Sequence, residues 1–411
     1  MNTPLPDLEE QLHDALHGRV DALDQAPLSF TDVRHRARRI QRRRTVAAGA
    51  GIAAAIALLV PAGLAVTDAF PRSDTPPATN VPDAPDLKSP VTIDPDAAPE
   101  GDAARVPLIV VADRQLLTPG YAEDLPQDYE QIAPYTDGWV AVRNDQGVRS
   151  LDFLGPDFSV QERNSPTSNL TIRQDGGRFA WAEYDGTRWR VIQSEADPQE
   201  EWIYTDLPTG PREAEVRTVG FLPGDEVVAA QLDPDDGTET GMIATRQGTI
   251  EPITGFLHLA SSSPVTGLVA GLTSIDGAST CSAVKDVRSG ADGFVWETCD
   301  HQIGPFSRGG AHVVGLAEYY DGFGSPTLSV LDASTGEPVL DFEVAPAKDQ
   351  VVAVAPEVVW EDDETLLAVV TVGNEQYVVR LGLDGSVERV AGPTSIPEAG
   401  VAYRLSPAAV D

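Results

Sequence analysis

From Val106 onward the apolar residues fall in short alternating or β-branched runs, broken every few residues by Gly, Asp or Pro. That texture predicts short β-strands joined by tight turns, with no helix of any length. The runs also repeat. A Gly or Asp turn leads into an apolar strand with a small residue at its centre. The strands are Gly138-Trp139-Val140-Ala141, Arg178-Phe179-Ala180-Trp181, Val227-Val228-Ala229-Ala230, Leu268-Val269-Ala270-Gly271, Val313-Val314-Gly315-Leu316 and Leu366-Leu367-Ala368-Val369. The small residues at 141, 180, 229, 270, 315 and 368 lie about 45 apart on average, the length of one four-stranded propeller blade. A β-sandwich has no reason to repeat at that period. The expected fold is therefore all-β, a β-propeller over 107–411. Six repeats occupy roughly 131–392, and the remaining 107–130 and 395–411 amount to 41 residues, close to one more blade. The arithmetic favours seven blades over six, with Leu108–Asp113 and Val401–Leu405 closing the ring from both chain ends.

The N-terminal part has a different pattern. Leu8, Leu12, Leu16, Val20 and Leu23 mark one face of a helix, and Ser29-Phe30-Thr31-Asp32 resembles a capping box for a second. Residues 1–44 are too few to build a core alone, so the first apolar face needs a partner. Thr45 to Val66 is a run of 22 uncharged residues, about 33 Å as a helix and enough to cross a bilayer core. Arg34, Arg36, Arg38, Arg39, Arg42, Arg43 and Arg44 crowd its N-terminal side. Positive residues stay inside, so 45–66 is expected to be a transmembrane helix with 1–44 cytoplasmic and the rest extracytoplasmic. A cleaved signal peptide is the rival reading, since Gly63-Leu64-Ala65 is a small-x-small tripeptide. Residues 67–106 are rich in Pro and are expected to form an extended linker.

Charge supports this division. The net charge is −35, and residues 1–44 hold eight Arg and seven acidic residues, a balance of +1 that leaves −36 on the remainder. So acidic an exterior repels phosphate backbones, which excludes nucleic acid as its partner. Cys281 and Cys299 are the two cysteines. An even count outside the cell favours a disulfide, here across a hairpin turning at Ser289-Gly290-Ala291-Asp292-Gly293.

Few residues suggest chemistry. The exterior holds only His258, His301 and His312, with no G-x-S-x-G, no H-E-x-x-H and no phosphate-binding glycine loop. No catalytic, cofactor-binding or metal-binding residue is assigned. Asp233-Pro234-Asp235-Asp236-Gly237 places its Gly fifth rather than sixth, so it reads as a polar hairpin turn and not a calcium loop. Asp362 and Asp363 read as turn formers. Asn169-Leu170-Thr171 matches a glycosylation acceptor. Trp139 and Trp181 should pack between blades; Trp189 and Trp202, in the outer strands of their repeat, are read first as packing residues, with a partly exposed patch that meets a protein or a sugar face as the second reading.

Gln174-Asp175-Gly176-Gly177-Arg178-Phe179-Ala180 resembles the "pDGxxla" element of TolB-like and WD40-like propellers, and Glu361-Asp362-Asp363-Glu364-Thr365-Leu366-Leu367-Ala368 is a looser version. Val330-Leu331-Asp332-Ala333-Ser334-Thr335-Gly336-Glu337 resembles their third-strand-to-turn element. The resemblance covers about 130–392, lacks the Trp-Asp dipeptide of true WD40 repeats, and implies a platform for protein partners. The order of parts also resembles one-span anti-sigma-factor regulators of actinobacteria, without the H-x-x-x-C-x-x-C motif of their zinc-binding kind. The resulting expectation is a membrane-anchored binding or sensing protein with a protein or glycan partner outside and a protein partner for 1–44 inside. The alternative is an anchored propeller enzyme of the glycosidase or lactonase type.

Overall fold

The computed structural model describes residues 89–407 except 197–201, 209–211, 213, 236, 277–278, 318–323, 349 and 398–399. The helical segment 1–44, the apolar run 45–66 and linker residues 67–88 lie outside the described residues. Among the described residues no helix is long and apolar enough to cross a membrane.

Seven sheets, each built on four antiparallel strands, make a seven-bladed β-propeller. Six blades follow the chain from the channel outward. Blade 2 runs Gln131–Tyr135, Gly138–Asp145, Val148–Leu154 and Val160–Asn164. Blade 3 runs Thr171–Ile172, Arg178–Tyr184, Trp189–Glu195 and Ile203–Asp206. Blade 4 spans Glu215–Leu222 to Ile250–Ile253, blade 5 His258–Ser262 to Trp296–Thr298, blade 6 His301–Phe306 to Pro338–Val344, and blade 7 Val352–Trp360 to Val387–Ser395. Blade 1 closes the ring. Its innermost strand, Tyr403–Leu405, comes from the C-terminal end and pairs with Leu108–Val110, as Leu108↔Leu405 and Val110↔Tyr403. Gln115–Thr118 and Tyr121–Asp124 complete it.

The six repeat strands read from the sequence are all second strands of their blades, and the small residue at each centre has a steric cause. Ala141, Ala180, Ala229, Ala270 and Ala368 are all fully buried where neighbouring blades face each other. At Gly315 an added Cβ would lie 3.1 Å from the His301 ring and 3.1 Å from Leu331, closer than most real contacts. The core is a ring of apolar seams between blades. Ala133, Val140 and Phe153 of blade 2 pack on Ile172, Phe179 and Trp181 of blade 3, and the seventh seam joins Val359 and Leu367 of blade 7 to Leu108 and Leu405 of blade 1. Each large side chain so buried contributes roughly 1.5–3 kcal/mol.

The linker reading needs correction at its C-terminal end. Residues 91–106 are a strap laid over the propeller, not a free spacer. Val91–Ile93 adds a parallel fifth strand to the outer edge of blade 6, with Val91↔Phe342 and Ile93↔Val344. Ile93 and Val106 are fully buried. Gly101 N–H donates to Arg389 O at 2.9 Å and Arg389 N–H to Pro99 O at 2.8 Å on the edge of blade 7. An extended, Pro-spaced chain keeps backbone groups available for an open sheet edge, and Val91-Thr92-Ile93 supplies a short β-branched run.

Beneath the strap, Arg380 donates to Glu361 Oε2 (2.5 Å) and Oε1 (3.2 Å), to Glu388 Oε2 (3.0 Å), and to the carbonyls of Asp102 (3.2 Å) and Ala103 (3.1 Å). Glu361, with its side chain fully buried, also accepts the Arg105 N–H at 2.7 Å. The hydrogen bond to Glu361, against burial, holds the Arg380 guanidinium above its ordinary pKa. Tyr377 donates to Asp96 at 2.8 Å, and burial, reinforced by Asp96, pushes its phenol well up.

Candidate functional site

The innermost strands line a central channel. At the end where first strands turn into second strands, a cavity of about 220 Å³ is walled by amides, hydroxyls and apolar groups, among them Gln131, Thr171, Gln174, Ser262, Phe306 and Pro407. Most of these polar groups are held by bonds between blades. Asn169 and Thr218 exchange bonds as two backbones would, with Asn169 Nδ2 donating to Thr218 O at 2.9 Å and Thr218 N to Asn169 Oδ1 at 3.1 Å. The amide of the Asn-Leu-Thr acceptor sequence is thus engaged in the folded protein. Ser261 donates to Gly304 O at 2.6 Å, Ser262 to Phe221 O at 3.0 Å, and Trp360 Nε1 to Pro305 O at 3.1 Å.

One contact crosses the channel. Gln174, in the first turn of blade 3, donates from Nε2 to Phe306 O of blade 6 at 2.6 Å. Because a carbonyl can only accept, this fixes the orientation of the amide. Its Oε1 is buried and has no hydrogen-bond partner among the described residues.

Gln174, Arg173 and Pro264 also line an adjoining cavity of about 280 Å³ at the mouth, together with Asp175, Val265 and Arg308. The two arginines differ. Arg173 is neutralised, bonded to Asp175 at 2.7 Å and to Asp225; the bond to Asp175, against burial, raises its pKa. Arg308 has no carboxylate partner among the described residues, and its Nε is buried without a hydrogen bond. Val265 is 58% exposed on the rim. Each turn closes back on its opening carbonyl, Gly176 N–H on Arg173 O and Gly310 N–H on Ser307 O three residues on, and Gly267 N–H on Ser263 O four residues on. Gln174, Pro264 and Arg308 each follow the carbonyl that opens the turn, which aims three different residue types at one mouth.

Elsewhere along the channel, Glu357 of blade 7 has Arg404 of blade 1 and Glu130 beside blade 2 as charged neighbours. Its side chain is open to the channel, and desolvation by the surrounding protein pushes its carboxyl up; Arg404 opposes the rise, and Glu130 adds to it.

The sequence-nominated residues do not converge. His258 Nδ1 lies 2.7 Å from Glu239, which also binds Arg217 at 2.9 Å; burial works against Glu239, yet its bonds to His258 and Arg217 hold its pKa down. His301 packs under Gly315, and His312 stacks on Trp360 with centroids 6.4 Å apart. Trp189 is buried, as the packing reading expects and the exposed-patch reading does not, because its strand is covered at the seam with blade 4. Trp202 is half-buried and stacks on Phe153 at 5.6 Å. Trp139 and Trp181 pack between blades as expected. Asp362 accepts the N–H groups of Glu364 (2.9 Å) and Thr365 (2.7 Å), which makes it a turn former. Asp233 does the same in its hairpin turn, accepting from Asp235 N at 2.8 Å. Cys281 and Cys299 form a disulfide in blade 5, beside the register pair Ser282↔Thr298.

Sequence reasoning passed over Arg308, Pro264 and Val265. The signal was positional. Gln174 stood in a quoted motif, but its equivalents on other blades become visible only once the turn register is known.

No family model matches the chain, and no curated protein matches it. Solved structures share its fold. A prolyl endopeptidase aligns with 13% identity over 68% of this chain and 46% of its own, with a TM-score of 0.47; the match thus spans about half of that protein. TolB of Acinetobacter baumannii aligns with 12% identity over 61% of this chain and 64% of its own, TM-score 0.35. A protein of unknown function from Desulfotomaculum acetoxidans aligns with 15% identity over 73% of this chain and 98% of its own, TM-score 0.45. The likeness is one of propeller fold alone.

Proposed function

We propose that the chain is a membrane-anchored binding protein whose propeller serves as an extracytoplasmic interaction platform, with residues 1–44 meeting a protein partner inside. The observation that carries this reading is the channel mouth. Its wall is made of amides, hydroxyls and apolar groups, and it holds one guanidinium Nε and one amide oxygen with no hydrogen-bond partner among the described residues. Unpaired polar groups beside an exposed apolar rim suit recognition. The enzyme reading calls for two carboxylates converging on a scissile bond, whereas Asp175 and Asp225 are tied to Arg173 and Asp363 accepts the Gly309 N–H in a neighbouring turn. The disulfide supports placement outside the cytoplasm, and the uncharged run 45–66 supports an anchor.

Two measurements on the full chain in intact cells test this. With both native cysteines in the disulfide, a membrane-impermeant maleimide should label Tyr121→Cys and spare Thr3→Cys; equal labelling would remove the anchor. A photo-crosslinking residue at Val265 should trap a discrete protein, whereas one at Tyr121, on the outermost strand of blade 1, should not. No adduct at Val265, or the same adducts at both positions, would sink the platform.

A further inference from the structure

The mouth specifies what kind of group it takes. We propose that it captures the C-terminal residue of a peptide chain, with the free carboxylate on the Arg308 guanidinium and the backbone N–H of the same residue on Gln174 Oε1. This rests on the platform reading and names the chemistry of that site.

Three observations lead to this assignment. Among the described residues Arg308 has no carboxylate at ion-pair distance, while its neighbour Arg173 is doubly paired; Asp363, the carboxylate beside this turn, accepts the N–H of Gly309 instead. Gln174 cannot turn its amide to serve Arg308, because Nε2 is committed to Phe306 O at 2.6 Å. Its Oε1 therefore needs a donor, and a bare anion such as phosphate would set one acceptor against another. The ligand must carry an anion and an N–H close together, and a C-terminal residue carries both within one unit. The third observation excludes a chain passing through. The Gln174–Phe306 bond spans the channel, and the cavity outside it is about 280 Å³, so an entering peptide has to end there. Pro264 and Val265 offer the last side chain an apolar wall. Arg suits this task because its planar fork matches a carboxylate.

The test uses the full chain in detergent and fluorescein-labelled hexapeptides randomised at the last three positions. Each is made as a free acid and as a C-terminal amide, with a third set carrying an internal Asp and an amidated end. Fluorescence anisotropy should find free acids bound at least tenfold tighter than their amide twins, the scale of one lost charge-assisted bond. Arg308→Gln should abolish the preference and Arg308→Lys should retain part of it, both with unchanged melting temperatures; Gln174→Leu should weaken it and also lower the melting temperature, because Phe306 O loses its donor. Equal binding of acids and amides, tight binding of the internal-Asp set, no binding up to ~1 mM, or a preference surviving Arg308→Gln would each overturn the assignment. If the Val265 adduct persists in that case, the platform stands and only the carboxylate assignment falls. If it is lost too, both fall.

Discussion

Arg380 and Arg308 lie on different blades, and the structure treats them in opposite ways. Every N–H of Arg380 is used: Glu361 takes two bonds, and Glu388, Asp102 O and Ala103 O take the rest. Arg308 has a buried Nε with no acceptor. A buried guanidinium is costly unless fully bonded, so the strap junction meets that demand with its own backbone carbonyls. The mouth leaves it unmet. The first arrangement fixes where the chain enters the propeller. The second leaves the protein with a charge that an incoming group can satisfy.

The strongest way to break the contrast is to damage the satisfied site. Glu361→Gln leaves Arg380 with half its charge compensation under the strap, and removing one partner of a buried pair costs about 3–5 kcal/mol. Denaturant unfolding should show that loss. Arg380→Met combined with Glu361→Gln should recover much of it, because no charge is then stranded. If Glu361→Gln is neutral, the strap is an ornament and the comparison with Arg308 loses its reference.

The strap was the part of the fold least legible in the sequence. Second strands were readable because the seam between blades excludes a large residue at their centre, and that leaves Ala or Gly at a fixed period. Ring closure followed from residue count. Nothing comparable marks an edge-added strand. Val91-Thr92-Ile93 is three residues long amid prolines, and its partner Phe342 is 251 positions away, so local pattern carries no trace of the pairing. The mouth was hidden for a related reason. Gln174, Pro264 and Arg308 share a turn position but no residue type, and an exposed patch at Trp189 stayed open as a second reading because the covering surface, from Ala214 to Val216, belongs to the next blade. Cysteine parity worked because it asks only where the two residues are, not what packs on them.

The disulfide sharpens the comparison at second rank. Blade 5 presents Pro264 and Val265 to the mouth, yet its outermost strand is only Trp296–Thr298. Closing the loop between Cys281 and Cys299 contributes about 3 kcal/mol in the chain-entropy model. Replacing both by Ser should lower stability by up to that amount in chemical denaturation, with the free-acid preference of the mouth retained. A loss of that preference at temperatures where the fold persists would mean that the outer edge of blade 5, not the turn, positions the rim.

A smaller effect is expected of the opposite sign. The folded-state pKa of Glu357 is raised by desolvation in the channel, against Arg404 and with Glu130, although its side chain is open to solvent. A raised carboxyl costs nothing below its unfolded pKa, where both states are protonated, and disfavours the folded state once pH rises through the folded value. Glu357→Gln should therefore leave the melting temperature at pH 4 unchanged and raise it slightly at pH 8. A fall at pH 8 would show that Glu357 is stabilised as a carboxylate by Arg404, and the channel would then hold a second demanding charge besides the one at its mouth.

The smallest expected effect is the most exposed to failure. Arg308→Gln should change the free energy of unfolding by no more than about 0.5 kcal/mol, the range of substitutions that remove no contact. No carboxylate loses its partner, and a buried N–H without an acceptor disappears. Set beside Glu361→Gln, this makes a paired test of one residue chemistry in two settings. A buried arginine that holds the fold should cost several kcal/mol when its partner is removed, and one kept for a ligand should cost almost nothing. If Arg308→Gln destabilises by as much as the strap variant, Arg308 is a structural residue whose partner forms outside the described contacts, and the mouth has no charge to offer.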